Sequence, residues 1–285
     1  IWGVNLESTV PDSFDISVSE ITMNKYNPNN ANIAVTGKVN NGGLITTTSY
    51  TLNYKVDNNA PVTQNVTGAS IAFNASATFS MTTTIAPVIG THTIKVWTSN
   101  PNGVADQSPA KDSFSDTFFV YDVANAVQRK PFLEVFTSSS CAPCVAGNAN
   151  LKTVLGANDI TWTILKYQMS WPGNGDPYYT AEGGTRRTFY GVNAVPDMYI
   201  DGQSNYFPTN LVIGDFNSHK TTPAFVALTA TYSIGAPVVE VNVTIDPKIA
   251  ISGNLKLFMG VIENKTTKNT ATNGETEFLY VMKKM

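Results

Sequence analysis

Lys130-Pro-Phe-Leu-Glu-Val-Phe-Thr-Ser-Ser-Ser-Cys141-Ala-Pro-Cys144 is the stretch on which the reading of this chain turns. Its apolar half, 132–136, reads as a strand, and its end opens a helical run that stops at Gly156. The two cysteines are the only pair in 285 residues, and they fall at the first turn of that helix. A thiolate, not a thiol, attacks a disulfide, and the partial positive charge of a helix N-terminus stabilises the thiolate. Cys141 is therefore the candidate nucleophile. Cys144, one turn on, is placed to attack the Cys141 sulfur and release a bound partner.

Three plainer readings stand beside this one. A structural disulfide closing so short a loop contributes about 2 kcal/mol on loop-entropy grounds, against about 4.7 for a 100-residue loop. A zinc site needs two further ligands, and His92 and His219 are the only histidines and lie far apart. No metal and no cofactor is therefore expected. The third alternative is a redox-type fold whose cysteines no longer serve a partner.

Upstream, residues 14–121 read as short alternating strands separated by turn signals, with almost no helical period. This is the pattern of an all-β sandwich. The segment lacks cysteines, which excludes an antibody-type disulfide pin, and His92 shares a face with Ile94 and Val96, which favours a structural role. Through residues 90–97 and 100–103 the segment resembles the immunoglobulin-like modules of bacterial surface proteins.

Downstream of the cysteines the period changes to strand, helix, strand, helix, strand, strand. A strand is expected over 160–167, and a loop over 168–175 leaves its C-terminal end, where ligands collect in open α/β sheets. Trp171 is placed there either to wall a substrate groove or to cap the local core. Asp176-Pro177 reads as the N-cap and first residue of a helix that Gly183-Gly184 breaks. Val195-Pro196 precedes a strand expected to run antiparallel to the cysteine-bearing strand, so it lies at the same sheet edge. A cis bond is expected there, and the Val195 backbone would pair with an extended substrate. Glu134 lies among Phe132, Leu133, Val135 and Phe136, so it is at least partly buried. Burial would raise its pKa and suit proton transfer with a cysteine, with Lys166 as its candidate partner; the plainer reading is a Glu–Lys pair that only fixes the sheet. A short helix is expected over 209–219, and strands over 224–232, 238–245, 255–262 and 278–282.

Charged residues make up 14% of the chain, well under the usual quarter, and the net charge is −3. With no basic cluster, nucleic acid is not an expected partner. The sequence has no apolar run of the length that spans a bilayer. Membrane association would need an anchor outside this chain. The neutral polar surface suits an envelope or extracellular location.

Residues 132–202, with Cys-Ala-Pro-Cys and Val195-Pro196, resemble the thioredoxin superfamily. More narrowly, Glu134-Val-Phe-Thr-Ser-Ser-Ser-Cys141, Tyr190-Gly191, Val195-Pro196 and Ile200-Asp-Gly202 resemble the thioredoxin-like outer-membrane lipoproteins of Bacteroidetes. That resemblance implies an immunoglobulin-like sandwich at 1–121, a linker at 122–130, a thioredoxin-like α/β domain at 131–221 and a β-rich region at 222–285 that continues as a partial sandwich. It implies a thiol–disulfide oxidoreductase with a protein substrate and an electron donor, Cys141, Cys144 and Glu134 acting in catalysis and Val195, Pro196 and Trp171 binding substrate. The alternative is a surface binding or adhesion lipoprotein with a non-catalytic fold. Ser140 and Val135 stand where thioredoxin has tryptophan and a buried aspartate. Glu134 is one place off, and one residue reverses the face of a strand.

Overall fold

The computed structural model describes residues 11–156, 161–269 and 272–285. The first ten residues of the expected sandwich, and residue 160 of the expected second α/β strand, lie outside these. The chain divides into two compact units, Ile1–Ala126 and Val127–Met285.

The first unit is all β. Its strands are β1 (Ile16–Ile21), β2 (Tyr26–Pro28), β3 (Thr36–Asn41), β4 (Thr47–Val56), β5 (Val62–Ile71), β6 (Ser76–Ser80), β7 (Gly90–Ser99) and β8 (Ser113–Tyr121). They form a sheet ordered β1-β3-β6 and a sheet ordered β2-β8-β7-β4-β5. Alternation aims Tyr50, Leu52, Tyr54 and Val56 of β4, with Ile94 and Val96 of β7, at Ile16, Val18, Val39 and Phe79 of the other sheet. This is the all-β sandwich read from the turn spacing. His92 is a clasp at its end. Nδ1 lies 2.8 Å from an Asp57 carboxylate oxygen, Nε2 lies 2.8 Å from the Val88 carbonyl, and the ring lies against Phe118.

Between β1 and β3 the register shifts after Val18, and Gly37 sits where the two backbones crowd. A Cβ there would lie 2.1 Å from the Glu20 carbonyl oxygen and 2.7 Å from the Phe79 ring.

The second unit is α/β. It comprises β9 (Phe132–Thr137), α1 (Ala142–Leu155), β10 (Thr163–Gln168), α2 (Ala181–Tyr190), β11 (Asp197–Ile200), β12 (Ser204–Tyr206), α3 (Ile213–Thr221), β13 (Val226–Gly235), β14 (Val238–Pro247), β15 (Val261–Thr266) and β16 (Phe278–Lys284). Six strands make one mixed sheet, ordered β12-β11-β9-β10-β16-β15. Strands β9, β10 and β16 run parallel, and β11 runs antiparallel to β9. Leu133, Val135 and Ile164 face Leu151 and Leu155 of α1 and Phe216 of α3. Phe136, Leu165 and Tyr167 face the opposite layer, which holds Tyr190 of α2 and Val192 after it.

Three expectations are corrected here. Residues 222–285 do not stand apart as a partial sandwich, because β16 pairs with β10 and β15 with β16, completing the α/β sheet. Residues 255–260 are not a strand; the ladder with β16 begins at Val261. Helix α2 starts later than Asp176-Pro177: Thr180 is its N-cap, accepting from the Gly183 N–H at 3.1 Å, and the helix runs through Gly183-Gly184 without a break. These glycines serve packing. A Cβ on Gly183 would meet Tyr167 and Met282 at 3.5 Å, and one on Gly184 would lie 2.4 Å from the Tyr179 hydroxyl. Strands β13 and β14 form a separate antiparallel ribbon with exposed Leu228, Tyr232, Ile234 and Val238.

Gly37→Ala is expected to destabilise the sandwich by about 2–3 kcal/mol or more, since a methyl group would have to displace backbone. Urea unfolding checks this; Gly235→Ala, at a position with open space and no positive φ, is the control for loss of a glycine.

Candidate functional site

Cys141 and Cys144 form a disulfide, with S–S 2.02 Å and Cα–Cα 5.3 Å. Cys141 is the N-cap of α1, and its sulfur lies 3.2 Å from the Cys144 N–H, a helix-start donor that also reaches the Cys141 carbonyl at 3.3 Å. Pro143 in the first turn takes a place where no donor is lost. The Val195 carbonyl oxygen is 3.5 Å from the Cys141 sulfur. A disulfide sulfur carries no proton, so this is a contact that only a reduced Cys141 can turn into a hydrogen bond. The Val195–Pro196 bond is cis, as the sequence suggested. Gly147 of α1 allows this approach: a Cβ there would meet Pro208 at 3.0 Å and Pro196 at 3.6 Å. Both cysteines are 1% exposed.

The loop before α1 is tied down from three directions. The Ser140 hydroxyl donates to the Pro172 carbonyl at 2.6 Å, and the Ser139 N–H donates to the Asp176 carboxylate at 2.9 Å. Asn273 supplies the third tie. Its side-chain amide donates to the Cys141 carbonyl at 3.1 Å, while its backbone N–H donates to the Ser139 carbonyl. Asp176, read from sequence as a helix cap, is instead buried and also accepts from Asn269. Asn273 was legible only as half of an Asn-Gly turn.

Glu134 is not beside the cysteines. The β9–β10 register is continuous, pairing Glu134 with Leu165 and Val135 with Lys166. Alternation therefore sends Glu134 to the α2 face and Val135 to the α1 face. Glu134 accepts from Arg186 Nε at 2.8 Å and Nη2 at 2.7 Å, from Tyr167 at 2.7 Å and from Tyr190 at 2.5 Å. Burial, together with this carboxylate, pushes both tyrosine hydroxyls above their ordinary range. The Arg186 guanidinium lies 4.8 Å from the Phe189 ring and 5.3 Å from that of Phe258. A carboxylate so enclosed is a structural anchor. The expected proton route from Glu134 to the cysteines, and its pairing with Lys166, are both replaced.

Lys166 points the other way, to α1. It donates to Asn148 Oδ1 at 2.7 Å, Asn148 donates to Glu275, and Glu275 accepts from Asn273 at 2.8 Å. A chain of hydrogen bonds thus runs from a buried lysine to the residue that holds the Cys141 carbonyl, beside a cavity of about 240 Å³. Burial lowers the Lys166 ammonium to about 8, and Glu275 offsets part of that. Trp171 lies over the Arg187 guanidinium at 4.5 Å and packs in the cluster of Phe136 and Val195. The structure thus brings together Cys141, Cys144, Val195 and Pro196, packs Trp171 in the cluster that holds Val195, and gives Glu134 other partners.

No family model and no curated protein matches the chain. Among solved structures it is similar to the CARDB domain of a Pyrococcus furiosus protein in complex with di-metal ions, at 16% identity over 42% of this chain and 100% of that one, with a TM-score of 0.29. It is also similar to a domain of a putative cell surface protein from Methanosarcina acetivorans, at 19% identity over 40% of this chain and 94% of that one, TM-score 0.33. A β-glucosidase from Listeria innocua in complex with glucose matches at 12% identity over 39% of this chain and 17% of that one, TM-score 0.24. These scores carry no functional argument. The membership among thioredoxin-like outer-membrane lipoproteins that the sequence suggested is corrected: no family or curated match supports it, and the structural neighbours are of other kinds.

Three outcomes follow from the charge layout. Arg186→Met leaves the Glu134 carboxylate buried without its countercharge and is expected to cost about 3–5 kcal/mol in urea unfolding; Glu134→Gln should leave the pH profile of cysteine alkylation after reduction unchanged. Lys166 binds its proton less tightly folded than unfolded, so the unfolded chain holds more protons between pH 8 and 10. Stability should therefore rise across that window by up to about 1.4 kcal/mol per pH unit, and Lys166→Met should flatten it in denaturant titrations at each pH.

Proposed function

We propose that the second unit exchanges a disulfide with a protein thiol at Cys141–Cys144, within an exported, envelope or cell-surface protein whose sandwich acts as a spacer or binding module. The observation that carries this reading is the Cys141 sulfur at the N-cap of α1, 3.2 Å from the Cys144 N–H and 3.5 Å from the Val195 carbonyl. The helix start stabilises a thiolate leaving or attacking at Cys141. The carbonyl beside it offers main-chain pairing to an extended peptide that carries the partner sulfur. In the oxidised protein a substrate thiolate attacks the Cys141 sulfur. The S–S bond breaks, Cys144 leaves as a thiolate and takes up a proton, and a mixed disulfide forms. A second substrate thiolate then displaces Cys141, so the substrate is oxidised and the pair reduced. With a disulfide substrate the steps run in reverse, and an external dithiol donor restores the reduced pair. The exported location rests on the sparse charge of the surface and on pairing of the only two cysteines, which suits oxidising compartments.

A second reading is a cell-surface binding protein in which the disulfide only staples the α1 start. The burial of both cysteines, 1% exposed each, favours it.

Reduction of insulin disulfides by dithiothreitol, followed with catalytic amounts of this protein, separates the two. Exchange requires acceleration that Cys141→Ser removes by about 100-fold or more, while Cys144→Ser accumulates a mixed disulfide through Cys141. Equal rates for the wild type and Cys141→Ser, with no mixed disulfide trapped, would leave the binding reading.

A further inference from the structure

Three carboxylates converge at one end of the sandwich, remote in sequence from the cysteines. Asp15 immediately precedes β1, and Asp106 and Asp112 lie in the connection between β7 and β8. One oxygen from each lies within 4.8 Å of the others. Asp112 is 4% exposed, and its Oδ1 is buried without a hydrogen-bond partner. A buried carboxylate that has an oxygen without a hydrogen-bond partner and lies beside two other carboxylates is costly unless a cation completes it.

The backbone around the cluster is fixed rather than loose. The Asp112 carbonyl accepts from the Val18 N–H at 3.2 Å and the Thr98 N–H at 3.3 Å, so it bridges β1 and β7. Asp106 accepts from the Ile16 N–H and the Ser108 N–H, each at 2.8 Å, which holds its carboxylate over the start of β1. Burial, then the charges of Asp106 and Asp15, push the Asp112 carboxyl up to about 7. Lys111 offsets part of this at Asp15, and Asp12 adds to it.

We propose that Asp15, Asp106 and Asp112 bind one calcium ion that pins the β7–β8 connection to β1. All-oxygen, carboxylate-rich donors suit a hard divalent cation, and calcium oxygens at about 2.3–2.6 Å span up to about 5 Å across the ion, which accommodates this spread. Water completes the six to eight ligands calcium takes. The site opens on a cleft bordered by Asp106, Asp112 and Trp97, with Lys55 and Lys95 also on its rim, so a bound lanthanide would sit near an indole that can sensitise it.

Terbium luminescence excited through tryptophan, measured on the full chain after chelator treatment, tests this. A single saturable site is expected, displaced by calcium with an affinity of roughly 10⁻⁴ to 10⁻³ M, as in extracellular modules. Asp112→Asn, which keeps shape and removes one like charge, should weaken binding by roughly tenfold or more while the circular dichroism spectrum is unchanged. Asp15→Asn should do the same independently. Absence of saturable terbium binding to the wild type, or wild-type binding in both variants, would overturn the site. Displacement by magnesium as effective as by calcium would overturn the choice of ion.

Discussion

Strand β9 is buried on both faces, and that constraint organises the second unit. A strand with helices over each side has no solvent to receive a misplaced polar group, so each side chain must be satisfied within its own layer. Glu134 is satisfied by Arg186, Tyr167 and Tyr190 on the α2 side. One residue on, Val135 faces the α1 side, where Lys166 of the neighbouring strand is buried with Thr137 and Gln168. The sheet therefore holds a carboxylate and an ammonium in adjacent strands that never meet, each with its own partners.

This arrangement explains why the cysteine loop is so firmly held. Lys166 is linked through Asn148 and Glu275 to Asn273, and Asn273 grips the Cys141 carbonyl. Ser140 and Ser139 add ties to Pro172 and Asp176. Of the three consecutive serines before the first cysteine, Ser140 donates through its hydroxyl and Ser139 through its backbone N–H, while Ser138 accepts from the Ser140 and Cys141 N–H groups, and the disulfide is seated in a hydrogen-bonded collar.

Much of this was legible because it is local. Alternation in β4 and β7 marked the sandwich core, and a strand, a Cys-x-x-Cys and a helical run gave the start of the α/β unit. The face of Glu134 followed from its one-residue offset, although its partner did not: Arg186 is 52 residues away, and no period in the sequence points to it. The C-terminal strands alternated as expected yet gave no sign of which sheet they would join, since strand pairing is decided by tertiary packing. Asp176 satisfied every local rule for a helix cap. Its burial against Ser139 and Asn269, 37 and 93 residues away, overrode that rule. Gly183-Gly184 misled as well: both lie in the first turn of a helix whose Thr180 cap accepts the Gly183 N–H, so the helix continues through them.

The place of β16 has a consequence for the order of assembly. It lies between β10 and β15 in the sheet, although β10 ends at Gln168 and β16 begins at Phe278. During synthesis β10 therefore keeps a bare edge until residues from the far end of the unit emerge, whereas every strand of the sandwich is available by Tyr121. Non-local pairings of this kind are slow to form and leave strand edges exposed meanwhile. The collar around Cys141 includes Asn273, so it is also a late product: the two cysteines emerge well before the residues that enclose them.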